Sequence, residues 1–255
     1  MPTPIRLPLR ILYGLYTWTT FVFLSVLALL GMIVVPGVER RRHIARFTAR
    51  TFLRAAGMRL RVAGIGQLPP ESCVVVANHT SYLDGVILIA ALPSRFGFVI
   101  KREMDRVPLA SLLLRRIGSE FVDRVNRHKG AMDARRMLRR ASNGQSFVFF
   151  PEGTFSKQTG LLRFHTGAFA TAVRAGCAVA PVVVKGARQA LAWNRIVPTP
   201  TTITVEVLVA LRAETEDRDA AVLLREAVRR VILDKLGEPD LSSQHPASDL
   251  ISNAA

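Results

Sequence analysis

Little in this chain could be cross-linked or coordinated. Only two of its 255 residues are cysteines, too few for a disulfide framework, which fits a reducing compartment. Cys73 and Cys177 fall in apolar runs and read as small core residues. No cluster of ligand-type side chains has zinc spacing, so neither a structural metal nor a cofactor is expected. No Gly-x-Ser-x-Gly turn occurs, which removes a serine nucleophile carried on a strained elbow. Aromatic residues make up 7% and do not interleave with basic ones, which speaks against a nucleic-acid recognition module. Acidic residues are scarce too: 19 Asp and Glu against 35 Lys and Arg, for a formal net charge of +16. That balance asks for an anionic partner, whether nucleic acid, a membrane surface or a phosphorylated substrate.

Hydrophobic residues, by contrast, are plentiful at 49%, and the mean hydropathy is +0.25. The length suits one good-sized domain with small additions. Ile11 to Val35 is a run of 25 residues without a charge, bounded by Arg6 and Arg10 before and Glu39-Arg40-Arg41-Arg42 after. As a helix it would reach about 37 Å, enough for a hydrocarbon core of about 30 Å. It is too long for a signal-peptide core and has no small-x-small cleavage pattern near Gly31–Pro36. Tyr13, Tyr16 and Trp18 sit where an interfacial belt would lie. A full span and a hairpin dipping into one leaflet, turning at Pro36-Gly37, fit the segment equally well.

A second helix is predicted from about Arg40 to Ala56. Arg42, Arg46, Arg50 and Arg54 fall on one face, and Ile44, Phe47, Thr51 and Ala55 on another. A basic face beside an apolar one suits an anionic leaflet. Positive residues are denser after the apolar segment than before it, which places the main domain on the cytoplasmic side of an inner membrane. Residues 1–57 thus read as membrane-associating helices, 58–237 as the main domain and 238–255 as a disordered polar tail.

Within the main domain, strands are predicted at Arg59–Ala63, Ser72–Ala77, Phe96–Ile100, Glu120–Asp123, Ser146–Phe150, Ala178–Val184 and Thr201–Leu208. Helices are predicted at Leu83–Leu92, Leu109–Ile117, Gly130–Ala141, Thr166–Ala175 and Asp219–Leu236. This alternation implies an α/β fold with a mixed, largely parallel sheet of about seven strands and flanking helices. The polar–apolar alternation of Arg59-Leu60-Arg61-Val62 places that strand at an edge. The continuous Val182-Val183-Val184 places its strand centrally.

Chemistry concentrates where strands end. Asn78-His79-Thr80-Ser81-Tyr82-Leu83-Asp84 puts a histidine and a carboxylate five positions apart at a strand-to-helix junction. An imidazole oriented by a carboxylate is what a general base requires. The same residues also read as a plain helix start, with Ser81 as N-cap and Asp84 at N3. Three more apolar runs end in polar or charged residues: Lys101-Arg102-Glu103, Asp123-Arg124 and Pro151-Glu152-Gly153-Thr154. In α/β sheets, such strand ends form the ligand site. His43, His128, His165 and His245 have no partner pattern, and of these only His165 lies near the third cluster.

These blocks, in this order and spacing, resemble the membrane-bound glycerolipid acyltransferases of the 1-acylglycerol-3-phosphate (lysophosphatidic acid) type. The likeness covers residues 59 to 210, joins Lys101–Met104 and Gly118–Arg124 into one block, and includes Val179-Ala180-Pro181-Val182-Val183-Val184 as a fourth. It implies that His79 is the base and Asp84 its orienter. Lys101 and Arg124 would hold the substrate phosphate. Glu152, Gly153 and Thr154 would meet the acceptor's glycerol part, and Pro181 an acyl-donor pocket or a structural turn. Phe155 departs from the family, many of whose members have Arg there. Lys157 or Arg163 could supply the missing cation, or the acceptor could differ.

The implied reaction moves a fatty acyl group from acyl-CoA or acyl-carrier protein to the free hydroxyl of lysophosphatidic acid, giving phosphatidic acid, with membrane lipids as further partners and no nucleic acid. Two alternatives keep the chemistry and change the acceptor, to lyso-ornithine lipid or to glycerol-3-phosphate. A third alternative is a non-enzymatic basic membrane-surface protein.

Overall fold

The computed structural model describes residues 7–123, 127–154, 157–215, 217 and 219–243. Two helices come first, α1 (Leu7–Val34) and α2 (Val38–Ala55). Then β1 (Arg59–Ala63), β2 (Cys73–Ala77), α3 (Asp84–Ala91), β3 (Phe96–Lys101), α4 (Pro108–Arg116), β4 (Glu120–Val122), α5 (Arg127–Ser142) and β5 (Ser146–Phe149) follow. The chain continues with β6 (Leu161–Leu162), α6 (Gly167–Arg174), β7 (Ala178–Lys185), α7 (Ala187–Ala190), β8 (Thr202–Val207), α8 (Ala220–Leu236) and β9 (Asp240–Leu241).

Seven strands form one sheet in the order β1-β8-β7-β2-β5-β3-β4. β7, β2, β5, β3 and β4 pair in parallel, β8 runs antiparallel to β7, and β1 runs parallel to β8. The sheet is mixed and largely parallel, as the strand–helix alternation implies. β1 lies at an edge with alternating exposure, while β2 and nearly all of β7 are buried throughout. Both patterns follow from hydropathy, because only strands covered on both faces can be apolar at every position. One face packs Val75, Ala77, Val182 and Val184 against α2, α3 and α7. The other packs Val74, Val76, Val179 and Val183 against α5, α6 and α8.

The amino-terminal helices are part of this core. Ala49, Phe52, Leu53, Ala56 and Met58 are buried in the first cluster, and α1 lies along them through Trp18, Phe21 and Leu24. Part of the expected basic face of α2 turns inward, although Arg54 stays exposed. Arg42, only 9% exposed, donates to the carbonyls of Ile117 and Arg95, and Arg50 donates to that of Ala90. Ala90 is near the carboxyl end of α3 and Ile117 caps α4. These guanidinium groups therefore satisfy helix-end carbonyls and oppose the negative pole of each dipole. Phe47, on the face expected to meet a leaflet, is 71% exposed. Tyr13 and Tyr16 also dock on α2, donating to the carbonyls of Ala56 and Ala55 at its end.

Two further expectations change. Residues 240–241 are not an irregular tail: β9 pairs in parallel with β6. Arg229 of α8 holds the pair, donating to the carbonyls of Leu161 and Leu162 and to the carboxylate of Asp240. Residues 244–255 lie outside the described residues. Pro181 lies inside β7, away from any turn, and is not among the residues that line the cavity described below. Its carbonyl accepts the N–H of Leu208, and around it the pairing slips by one residue, from Val182–Val207 to Val179–Leu211. A bulge is where a strand tolerates a residue with no N–H to offer.

Candidate active site

β2, β3, β4 and β5 all end at one edge of the sheet, so His79, Lys101, Asp123 and Glu152 converge from four separate stretches of sequence. The turn after β2 is braced first by Asn78. Its amide donates to the Val184 carbonyl at 2.9 Å and accepts the Val184 N–H at 2.7 Å, adding a side-chain rung to the β2–β7 ladder. His79 follows, with Nδ1 2.8 Å from Asp84 Oδ2. The ring stacks on Phe150 with centroids 4.4 Å apart.

Asp84 is completely buried. The same Oδ2 accepts the N–H groups of Thr80 at 2.6 Å and Ser81 at 2.8 Å, so three donors fix one oxygen. Asp84 is the first residue of α3, not its third turn position, and Leu83 occupies the cap. Its carboxylate reaches backward to the turn rather than forward to the helix amides. Ser81 is not that cap. Its hydroxyl donates to the Leu191 carbonyl and accepts the Leu83 N–H.

Glu152 sits behind the histidine, 2% exposed. Its Oε1 accepts the His79 N–H at 2.6 Å, and its Oε2 accepts the Leu162 N–H at 2.9 Å. Burial pushes its carboxyl up to about 8, against the two amides, which lower it. Its side chain is turned to these two amides and is not among the residues that line the cavity described next. Gly153 follows at φ 75°, a backbone conformation that excludes side chains at little cost only for glycine.

His79, Lys101, Gly153 and Thr154 line the same cavity, of about 470 Å³. It runs between α1, α2, α3 and α4, past Phe21, Phe52, Val86 and Leu113, to Ala28, Met32 and Ile117, which form an apolar cluster of their own. The lining is mostly apolar, as a hydrocarbon chain requires, with His79, Lys101 and Thr154 contributed at the strand ends and Ser25 and Thr48 by α1 and α2. Arg124 and Phe155 lie outside the described residues. Of the two candidate replacement cations, Lys157 holds its ammonium 4.5 Å above the Trp193 ring, and Arg163 is exposed beside β6. His165 is anchored through its backbone N–H to the Pro151 carbonyl.

The strand leading to Arg124 is braced by charge pairs that pattern reading missed. Asp133, buried on α5, accepts the Asp123 N–H at 2.9 Å and pairs with Arg102 and Arg136. Glu120 pairs with Arg136 and Arg140.

An imidazole–carboxylate pair, a strand-end lysine and an apolar cavity on an α/β sheet define an enzyme of acyl-transfer type. The comparisons agree: the Acyltransferase family profile matches residues 59–185. The chain is 30% identical over 214 residues to the 1-acyl-sn-glycerol-3-phosphate acyltransferase of Neisseria meningitidis serogroup B, covering 77% of this chain and 83% of that protein. It is 31% identical to the lyso-ornithine lipid O-acyltransferase of Pseudomonas aeruginosa, over 61% of this chain and 59% of that protein. The chain belongs to the acyltransferase family. The crystal structure of the 1-acyl-sn-glycerophosphate (LPA) acyltransferase PlsC from Thermotoga maritima has the same fold, with a TM-score of 0.76 at 22% identity over 91% of this chain and 97% of that one.

Proposed function

We propose that this enzyme transfers a fatty acyl group from a thioester, acyl-CoA or acyl-carrier protein, to the free hydroxyl of a lysophosphatidic acid held at a membrane surface, giving phosphatidic acid. The observation that carries this reading is the joining of the His79–Asp84 pair to a long apolar cavity with Lys101 in its lining. With Nδ1 engaged by Asp84, Nε2 is the nitrogen that takes the acceptor's proton as its oxygen attacks the thioester carbonyl. Asp84 stabilises the imidazolium that forms. Collapse of the tetrahedral intermediate expels the thiolate, which recovers the proton from His79. The acceptor hydroxyl is itself the nucleophile, so no acyl-enzyme is required.

Lys101 supports phosphate binding as a point charge, with Arg124 proposed as its partner from the motif. Gly153 and Thr154 would border the acceptor. The acyl chain would lie in the cavity toward Ala28 and Met32. Membrane attachment is supported by α1, which is long and apolar enough to cross a bilayer. Because α1 packs along α2 and the core, attachment by its exposed side in one leaflet fits better than a span. We place the catalytic domain on the cytoplasmic side, where thioester donors are made.

One observation favours a second acceptor. Phe155 stands where many members have a cation, and one of the similar proteins is a lyso-ornithine lipid acyltransferase. Release of thiol from acyl-CoA, measured against lysophosphatidic acid, lyso-ornithine lipid and glycerol-3-phosphate, separates these readings. Release only with lysophosphatidic acid is expected. A preference for lyso-ornithine lipid would reassign the acceptor, and no acceptor-dependent release would remove the proposal.

A further inference from the structure

The loop between α7 and β8 is tied at both ends to parts of the molecule that matter, yet its tip exposes Trp193 and Ile196 on either side of Asn194 and Arg195. At its start the Leu191 carbonyl accepts the Ser81 hydroxyl at 2.7 Å, one bond from the turn that carries His79. Near its middle the Ile196 carbonyl accepts the indole N–H of Trp18 on α1 at 2.8 Å. Val197 packs so closely on α1 that a Cβ at Gly14 would lie 3.0 Å from its methyl. The Thr199 N–H closes the base of the loop on the Ala190 carbonyl at 2.7 Å. Between these ties Trp193, Arg195 and Ile196 are exposed, Ile196 by 80%.

The neighbourhood says what covers this tip. On a helix of 3.6 residues per turn, Ile11, Leu15 and Val22 flank the seam formed by Gly14 and Trp18. All three are exposed large apolar residues. The tip is therefore continuous with the outer apolar side of α1. Its charged neighbours are cationic: Arg195 within the turn, and Lys157 over the Trp193 ring at 4.5 Å. Aromatic and aliphatic side chains ringed by cations match the boundary of an anionic leaflet, where indoles sit at headgroup level and basic groups meet phosphate. A freely dissolved protein rarely keeps so extended an apolar surface in water.

We propose that the Trp193–Ile196 turn is a second membrane-inserting element, seated in an anionic leaflet beside α1, and that it sets the depth of the His79 turn relative to the lipid. The proposal rests on the membrane-surface reading above and adds to it a specific contact. Through Ser81 and Leu191, the level at which the turn rides fixes where the acceptor hydroxyl meets the imidazole.

The test labels position 196. The two native cysteines are buried, so an environment-sensitive fluorophore on Ile196→Cys reports from that site alone, with Arg174→Cys at the exposed end of α6 as the control. On phosphatidylglycerol vesicles the label at 196 is expected to shift to the blue and to be quenched by lipids brominated near the glycerol level, while the control keeps its aqueous spectrum. Ile196→Asp should sediment with these vesicles about tenfold less tightly, since it exchanges an inserted aliphatic side chain for a charge. It should keep its turnover on a dispersed short-chain acceptor. A protein that sediments with vesicles while the label at 196 stays aqueous overturns the insertion of this turn and leaves the membrane reading standing. A blue shift that needs protein concentration and no lipid would assign the surface to a second copy and likewise overturn the proposal. Failure of the unsubstituted chain to sediment would remove both.

Discussion

The backbone N–H of His79 is held by the carboxylate of Glu152, 2.6 Å away and 73 residues distant in sequence. The other oxygen of that carboxylate holds the N–H of Leu162. One buried side chain thus ties the histidine turn to the β6 strap, which Arg229 in turn fastens to β9 and α8. The imidazole is braced from two directions, by Asp84 through its ring and by Glu152 through its backbone.

Glu152→Gln replaces one acceptor oxygen with an NH₂ group, so that one backbone N–H faces another donor. Because a carboxyl raised to about 8 is largely neutral near pH 7, the loss is that of a neutral hydrogen bond, about 0.5–1.5 kcal/mol, and kcat should fall by about twofold to tenfold with little change in acceptor KM. A rise confined to acceptor KM would restore Glu152 as a substrate contact. Stability gives a second readout. A carboxyl raised to about 8 by burial contributes stability that is present below its unfolded value and lost as pH rises through its folded one. The melting temperature of the natural chain should therefore fall relative to that of Glu152→Gln as pH rises from about 4 to about 9. A constant difference would show that this carboxyl does not titrate in that window.

His79→Ala should reduce turnover by about 10²–10⁴-fold, the usual worth of a general base. Asp84→Asn should cost less. The amides of Thr80 and Ser81 would hold the asparagine oxygen in the place of Oδ2, preserving the Nδ1–H tautomer and removing only the charge that steadies the imidazolium. Single-turnover rates compare the two variants, and an Asp84→Asn loss equal to that of His79→Ala would contradict this division of roles.

Ala28 lies in the cavity lining beside Met32. Ala28→Phe should block that end and shift donor preference toward shorter acyl chains, with turnover on the shortest donors nearly unchanged. Competition between acyl-CoA donors of different length reads this directly. A uniform fall at every length would mean that the chain does not lie there.

Arg229→Met removes the donor to two carbonyls and the partner of Asp240, whose carboxyl that guanidinium holds well below its ordinary value. The Asp240 side chain is about half exposed, so the stability loss should be modest, about 2 kcal/mol. Hydrogen exchange at Leu162 should quicken more than at β2. Uniform protection would place the clasp outside the stability of the strap.

Much of the architecture was legible because it depends on local periodicity. The apolar runs of β2 and β7 and the alternation of β1 are properties of each segment alone. The His79–Asp84 pair was legible for the same reason, as both members belong to one turn. The arginines of α2 misled because periodicity locates a face without saying what the face meets. Arg42 and Arg50 found carbonyls at the ends of α3 and α4, and a guanidinium satisfied there can be buried. Arg229 and Asp240 likewise gave no local signal, being joined only when α8 returns across β6.

By itself the chain determined where its strands would end and which reactive groups would stand at those ends, since hydropathy and turn chemistry act within a few residues. Only the tertiary structure decided that Glu152 serves the histidine's backbone, that the first two helices close the core and wall the cavity, and that the Trp193 loop reaches α1. Those outcomes rest on hydrogen bonds and close packing between segments remote in sequence, and no spacing along one segment encodes which distant carbonyl or amide will arrive.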